Sequence, residues 1–580
     1  MSGPLPEAMR PRTLLQDLAA ALAVTFLAVP QGIAYALIAG VPPIVGLYAA
    51  TVPTIVGSLF RSSRHVIAGP TNAVSLIVGA SVASMSVQLG LTPAQVAIQL
   101  ALVVGLMQVG AGVLRLGALV NYVSQPVVLG YITGAGVLIG VGQLPNLTGT
   151  SGVSGTLPTQ LLAWGAGLGE AAWLPLTVGF GVAALLVGLR AIDRRIPAAI
   201  LALASATVIS VVFDLPAKGL TQLGDLSAVP VGLPPFTLPG VPSMALLSLG
   251  LATMVLSLVE ASAVARSLAD QTGDPLDSTR EFVGQGLANL SAAFFGGYPV
   301  GGSLSRSKLN HQAGAKTRMA GVFAGLLTLL VLMVAGPVAE KTPIASLAGL
   351  LLVVAWDLVD RERIAMAMNS ALGDKVAFVT TVAGTWLLPL DKAIYLGVAI
   401  SIALFVRRAS ALVVRPMRVD ASGRLREVPV AEASAISVLQ VEGALFFGAA
   451  PGLRDALAAA GSTEEVRAIV VRLKRTQGLD MTCLDVLARA ATTLRERGKV
   501  LILASTPPVA MERLASTGID EIIGRENIFP TCEGWFVAMD HALERAVAVS
   551  GESADTSEIR RYLEGRPAVE EPPPPSSEAG

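Results

Sequence analysis

"GGYPVGGSLSRSKLN", residues 296–310, holds four glycines, a proline, three serines, an arginine and a lysine inside a region that is otherwise apolar. Irregular backbone at membrane depth is tolerated only where it is packed in protein or lines a wet cavity. A fixed charge there is expensive and usually functional. An earlier stretch, "HVIAGPTNAVSL" (65–76), has the same build. Leu14, which opens the first apolar segment, lies 56 residues before Pro70, and Met244, which opens the eighth, lies 55 residues before Pro299. Each proline begins a short, interrupted segment, third from the start of its half. Paired broken segments in halves of opposite orientation point to a transport site at the bilayer midplane. Residues 66–70 and 296–302 are therefore predicted to be extended lead-ins, each running into a half-helix whose N-terminus faces the other. Free backbone N–H groups and the positive dipole ends make such a crossing an anion site. Arg306, one turn into the second half-helix, adds a whole positive charge.

The rest of the chain agrees with a membrane reading. Of its 580 residues, 53% are hydrophobic and 14% charged, against about 25% charged in soluble domains. Mean hydropathy is +0.66. A span needs roughly 20 apolar residues, which gives about fourteen segments, beginning near 14, 44, 69, 94, 118, 172, 196, 244, 277, 299, 318, 343, 374 and 391. With a cytosolic N-terminus, the inside connections contain Arg61, Arg64, Arg115, Arg190, Arg194, Arg195, Arg280, Lys316, Arg318, Arg361, Arg363 and Lys375. The outside ones contain only Lys218, Lys341 and Lys392. That is the positive-inside pattern. An even number of spans returns the C-terminus to the cytosol.

The resulting division is a cytosolic segment (1–13), a transmembrane domain (14–406), a linker (407–433), a cytosolic domain (434–550) and a disordered Pro-rich tail (551–580). In the cytosolic domain, "AISVLQVEG", "VRAIVVRL" and "KVLILAS" read as strands, with helices near 451–460, 482–498, 507–517 and 531–549. Strand–helix alternation implies a small parallel or mixed sheet flanked by helices. Cys483 and Cys532 are expected to be buried thiols. A formal net charge of zero suggests no nucleic-acid partner.

At this point the motifs carry a resemblance. "VPQGIAYALIAGVPPIVGLYAA" (29–50), "SSRHVIAGPTNAVSL" (62–76), "EFVGQGLANL" (281–290) and "GGYPVGGSLSRSKLNHQAGAKTR" (296–318) resemble the sulfate permease (SulP) / solute carrier 26 anion transporters. The likeness continues into the C-terminal part, which resembles a STAS domain. It implies a polytopic α-helical fold of about 14 spans in a 7+7 inverted repeat, with core and gate domains, followed by an α/β STAS domain. It also implies a homodimer in the plasma (inner) membrane. Family binding positions fall on Gln31 and Tyr35 in the first span, and on Pro70, Thr71 and Asn72 where the third begins. Gly301, Ser303, Leu304, Ser305 and Arg306 match the tenth. Gly301 stands where many relatives have Thr or Ser, so it either opens room for an anion larger than sulfate or merely eases backbone approach. In STAS-type antagonists a phosphorylated Ser follows an Asp; here Met481 follows Asp480, and Thr482 is expected to cap the helix.

Glu260, in "LSLVEASAVARSLAD", is the other intramembrane charge. Sodium-driven relatives carry Asp there and a hydroxyl residue at the position of Val264, whereas proton-coupled plant-type relatives resemble this stretch with Glu in place. An ionised carboxylate at membrane depth is disfavoured and protonation relieves it, so Glu260 is assigned the co-transported proton. His65 and His311 lack metal-like spacing, and no phosphate-binding GxxxxGK[ST] loop is present. No cofactor, metal or enzymatic activity is expected. The reading is a secondary active transporter of small anions (sulfate, dicarboxylate or bicarbonate class), proton-coupled and elevator-like. The alternatives are a sodium-coupled bicarbonate-type symporter and an uncoupled exchanger or channel.

Overall fold

The computed structural model describes residues 11–116, 124–153, 155–193, 196, 198–226, 232–419, 425–427, 435–532, 537–551 and 554–564. Arg194, Arg195 and the Pro-rich run 570–580 lie outside them. The chain divides into two compact units, Met1–Ile402 and Ala403–Gly580.

In the first unit every predicted segment has a helix. The first half runs α1 (Pro11–Ile38), α2 in two pieces (Pro43–Ala49 and Val52–Phe60), strand β1 (Ile67–Gly69), α3 (Asn72–Leu89), α4 (Pro93–Val113), α5 (Gln125–Gly142), α6 (Trp173–Ile192) and α7 (Ala198–Val212). The second half runs α8 (Leu246–Thr272), α9 (Ser278–Phe294), strand β2 (Gly301–Ser303), α10 (Leu304–Gln312), α11 (Met319–Glu340), α12 (Ile344–Leu358), α13 (Leu372–Leu387) and α14 (Leu390–Ala409). Among the described residues, seven helices are long and apolar enough to cross a membrane by length and composition alone, and six of them lie in the first half.

Packing displays the repeat more directly than length does. α1 packs on α11 as α8 packs on α4, α2 on α11 as α9 on α4, and α6 on α12 as α13 on α5; α2–α9 and α5–α12 pair across the pseudo-axis. These contacts separate a core bundle (α1–α4 with α8–α11) from a gate bundle (α5–α7 with α12 and α13), which α14 joins through the close approach of Gly397 to Val127 of α5. Local chemistry sets the starts of the helices. Thr92 and Gln95 form a capping box on α4, and the Asp277 carboxylate accepts from the amides of Thr279 and Arg280 to cap α9. One predicted inside charge behaves differently. Arg61, at the C-cap of α2, is fully buried and pairs with Glu281 of α9 at 3.3 Å, so it is a packing element rather than a solvated flank.

The second unit is built on a six-stranded sheet of order β4-β3-β5-β6-β7-β8. The strands are β3 (Val413–Val419), β4 (Leu425–Glu427), β5 (Ile436–Ala444), β6 (Ala468–Gln477), β7 (Val500–Thr506) and β8 (Ile528–Pro530). β5 to β8 are parallel, and β3 pairs antiparallel with both β4 and β5. The predicted linker therefore contains two strands. Their alternation is broken by Pro416 and by charged residues, which hid them from a hydropathy reading. Helices α15 (Ala450–Ser462), α16 (Met481–Glu496) and α17 (Pro508–Ser516) share one face with Leu439, Val441, Ile469 and Val471. α18 (Val537–Ser550) and α19 (Ala554–Glu564) cover Val438, Ala468, Val470 and Ile502 on the other. Strands buried on both faces read as continuous apolar runs, which is why these were legible.

Three expectations are corrected here. The tail is not disordered from 551: α19 places Ile559 and Tyr562 in the core, and the Tyr562 hydroxyl donates to Asp540 at 2.9 Å. Thr482 is exposed and does not cap α16; the Asp480 carboxylate does, accepting from the Cys483 amide at 2.9 Å. Only Cys483 of the two cysteines is buried. Burial, reinforced by Asp480, pushes its thiol up to about 12, so it stays protonated and inert.

Candidate substrate site at the crossing of the half-helices

β1 and β2 are the extended leads into α3 and α10, and they pair with each other. They run antiparallel, with Ile67 opposite Ser303, Ala68 opposite Gly302 and Gly69 opposite Gly301. Thr71 and Ser303 are matched N-caps: their hydroxyl oxygens accept from the amides of Val74 and Arg306, each at 3.4 Å. Ser307 staples the arms together. Its hydroxyl donates to the Ser303 carbonyl at 2.5 Å and accepts from the Ile67 amide at 2.9 Å. Two helix N-termini thus meet across a two-stranded crossing.

Arg306 is completely buried at this crossing. Its Nη2 donates to the Pro70 carbonyl at 2.5 Å, tying the second arm to the first. Its Nε and Nη1 meet no acceptor among the described residues. The guanidinium lies against Gly69, which has φ +147°; a Cβ built there would come within 2.5 Å of Nη1 and 2.8 Å of Nη2. Only glycine adopts that backbone freely and leaves that space. Glu260, on α8, accepts from the Thr71 hydroxyl at 2.9 Å. A Cβ on Gly301 would lie 2.9 Å from Glu260 Oε2 and 3.1 Å from Thr71. The space beside Gly301 is therefore already filled, so close backbone approach accounts for the glycine and the expectation of added room does not hold.

The remaining predicted contacts gather around the same point. Gln31 of α1 donates to the Ser305 hydroxyl at 3.4 Å, and its Oε1 is buried without a partner among the described residues. Tyr35 follows one turn later and is buried. Asn72 opens α3, its side-chain oxygen accepting from the Ala73 amide at 2.8 Å. Leu304 and Ser305 open α10 and are exposed, which leaves one side of the crossing accessible. Val264 is buried with Val66 and Leu268. A cavity of about 400 Å³, lined by Ile38, Leu76, Leu138, Gln143 and Thr385 among others, contains no charged side chain and none of the predicted contacts. The predicted polar and charged residues gather at the crossing instead.

Residues 14–382 match the sulfate permease family, and residues 427–534 match the STAS domain. The chain belongs to the sulfate permease family. A Bacillus subtilis relative, YvdB, provisionally described as a sulfate transporter, is 30% identical over 526 residues, covering 89% of this chain and 96% of its own. Among solved structures, the murine solute carrier 26 member A9 anion transporter in its inward-facing state superposes with a TM-score of 0.82 at 20% identity, over 94% of this chain and 93% of that one. The transmembrane domain of the cyanobacterial bicarbonate transporter BicA gives 0.58 at 21% identity, over 68% of this chain and 98% of that one. This family member therefore shares the fold of both. It is a membrane transporter with a STAS domain, not an enzyme.

Sequence reasoning missed several residues that build the site. Gly69 was passed over because its role depends on a side chain 237 positions later. Tyr298, fully buried, shares a 2.6 Å hydrogen bond with Ser75 and so joins the second lead-in to the first half-helix. His65 and His311, which have no sequence relation, stack edge-on with ring centroids 4.9 Å apart. Asn310 reinforces that end, donating to the His65 carbonyl at 3.1 Å. For Gln285 and Asn289 a signal did exist: with Glu281 they repeat every four residues on one face of α9.

Proposed function

We propose that this chain is a proton-coupled secondary active transporter of small anions of the sulfate, dicarboxylate or bicarbonate class. It acts in the plasma (inner) membrane as a homodimer with both termini cytosolic. One observation carries the anion assignment: a fully buried guanidinium with two donors that meet no acceptor among the described residues, where two helix N-termini converge. Glu260, the carboxylate at the crossing, bonds Thr71 rather than the guanidinium; a buried cation without a directly paired counter-charge is strongly unfavourable unless something compensates it, and a bound anion supplies that compensation. The names given to the Bacillus and cyanobacterial relatives, for sulfate and bicarbonate, bracket the class.

The site residues then have distinct tasks. The amides at the starts of α3 and α10, with Ser305 and Gln31, bind and orient the anion. Arg306 supplies the charge. Glu260, linked to Thr71, carries the proton, because an ionised carboxylate beside the site repels the anion and protonation removes that repulsion. The apolar packing of Val264 supports protons over sodium, which needs several oxygen ligands. Core and gate bundles that pack mainly within themselves suit an elevator-like movement of the crossing relative to the gate.

Two measurements test the proposal. A thermal-shift screen against sulfate, bicarbonate, chloride and C4-dicarboxylates should find an anion that raises the melting point, since a ligand binding only the native state stabilises by mass action. In proteoliposomes, an inward proton gradient should drive that anion's accumulation. Glu260→Gln should bind and exchange the anion yet accumulate none. Full gradient-driven accumulation by Glu260→Gln would remove this residue from the coupling, and a sodium requirement in the wild type would overturn the proton assignment.

A further inference from the structure

Val300 immediately precedes the strand that leads to Arg306, and its peptide is held more fully than any packing need explains. Its amide donates to Asn289 Oδ1 at 2.7 Å. Its carbonyl accepts from Gln285 Nε2 at 2.6 Å, from the Ser257 hydroxyl at 2.9 Å and from Asn289 Nδ2 at 3.1 Å. Three donors converge on a carbonyl with two lone pairs, the Asn289 amide being shared with Gln108 and the Gln285 carbonyl, so both backbone groups of Val300 are engaged. The donors come from two helices: Ser257 from α8, Gln285 and Asn289 from α9. All three are fully buried.

These side chains are themselves held. Gln108 of α4 accepts from Asn289 at 2.8 Å and donates to Ser257 at 3.2 Å. Arg61 donates to Gln285 and pairs with Glu281, whose other oxygen accepts from the Ser63 amide at 3.2 Å. The chain of contacts thus runs from Ser63, just before the lead-in of the first arm, to the lead-in of the second. Ser257 lies three residues before Glu260 and on the same face of α8. Its bond to Val300 sets the height of β2 against the Glu260–Thr71 pair, which a Cβ on the next residue, Gly301, would crowd at 2.9–3.1 Å.

We propose that Ser257, Gln285 and Asn289 are positioning residues for the anion site. They clamp the Val300 peptide and through it fix where Gly301–Arg306 stands relative to Glu260 and Thr71. This rests on the reading of the crossing as the anion site. Loosening the clamp changes anion affinity and the preference among anions while leaving every residue at the crossing in place.

The test uses the purified full-length protein, titrated with sulfate, bicarbonate and chloride and followed by thermal shift. Ser257→Ala should raise the apparent Kd for the anion that stabilises the wild type about fivefold, the scale of one lost buried hydrogen bond, and should alter the ratio of affinities among the three. Ser257→Thr, which keeps the hydroxyl, should return both to within about twofold of the wild type. Asn289→Asp, which turns a donor into an acceptor facing the Val300 carbonyl, should weaken binding about tenfold. If that variant does not fold, the Ser257 pair decides alone. A Ser257→Ala protein that melts lower but keeps affinity and preference within about twofold would make the clamp purely structural and overturn the inference. A wild type that responds to none of the three anions, nor to a C4-dicarboxylate, would instead overturn the site reading, and the clamp's role with it.

Discussion

α3 runs for 18 residues from Asn72 without a charged side chain, whereas α10 stops after 9 and carries Arg306, Lys308 and His311. Their lead-ins are nonetheless built alike: a three-residue strand, a hydroxyl N-cap, and a glycine at the crossing opposite the other arm's glycine. The repeat supplies the geometry twice and the charge once. Two buried guanidinium groups at one crossing would repel each other in a medium that screens poorly. Here one arm brings the cation, and the other receives it with the Pro70 carbonyl and the empty side of Gly69. The helix-end dipoles at the crossing are symmetric, while the charge is not.

Removing the asymmetry should have the largest effect. Arg306→Ala leaves two half-helix dipoles and no charge, and is expected to weaken anion binding by about 3 kcal/mol, more than roughly a hundredfold. Arg306→Lys should also fall short by roughly tenfold, since an ammonium cannot hold the Pro70 carbonyl and an anion in one plane. Titration of both variants, with circular dichroism to confirm folding, checks this; near-normal affinity in the alanine variant would mean that the dipoles suffice alone.

A smaller effect separates the two paired glycines. Gly69→Ala places a methyl 2.5 Å from Arg306 Nη1 on a backbone with φ +147°. It should lower affinity about tenfold by displacing the guanidinium. Gly301→Ala meets the tip of the Glu260 side chain, which can shift, and should change affinity about threefold or less while altering the pH dependence of uptake. Equal effects at both positions would show that the arms are interchangeable.

The smallest effect should come from the second unit. Truncation after residue 410 should leave anion affinity within about twofold of the full chain, because both arms belong to residues 1–402. Complete loss of binding in a folded truncation would mean that the STAS domain shapes the crossing.

How much of this was readable depends on whether the signal was local. Apolar length marked the long segments, and the Gly-Pro breaks marked both lead-ins and the short segments that follow them, because lipid allows only satisfied backbone and each exception must be built into adjacent residues. Arg306, Glu260, Thr71 and Ser303 stood out because a charge or a cap has an energetic meaning in its own neighbourhood. Strands β3 and β4 did not stand out: an edge hairpin bearing charges and a proline owes its existence to β5, its neighbour in the sheet. The mistaken cap at Thr482 came from choosing between nearby hydroxyl and carboxyl residues without the backbone angles that decide it.

The sequence by itself determined that this is a two-part membrane protein with a doubled, broken-helix core and a positive charge at one break, since burial in lipid and helix-end chemistry act over a few residues. Only the tertiary structure decided that the two breaks pair as strands, that Gly69 is the seat of Arg306, that the space at Gly301 belongs to Glu260 and Thr71, and that side-chain amides from α9 hold the Val300 peptide. Those facts join residues as far as 237 positions apart, and contacts at that separation exist only after the two halves have packed.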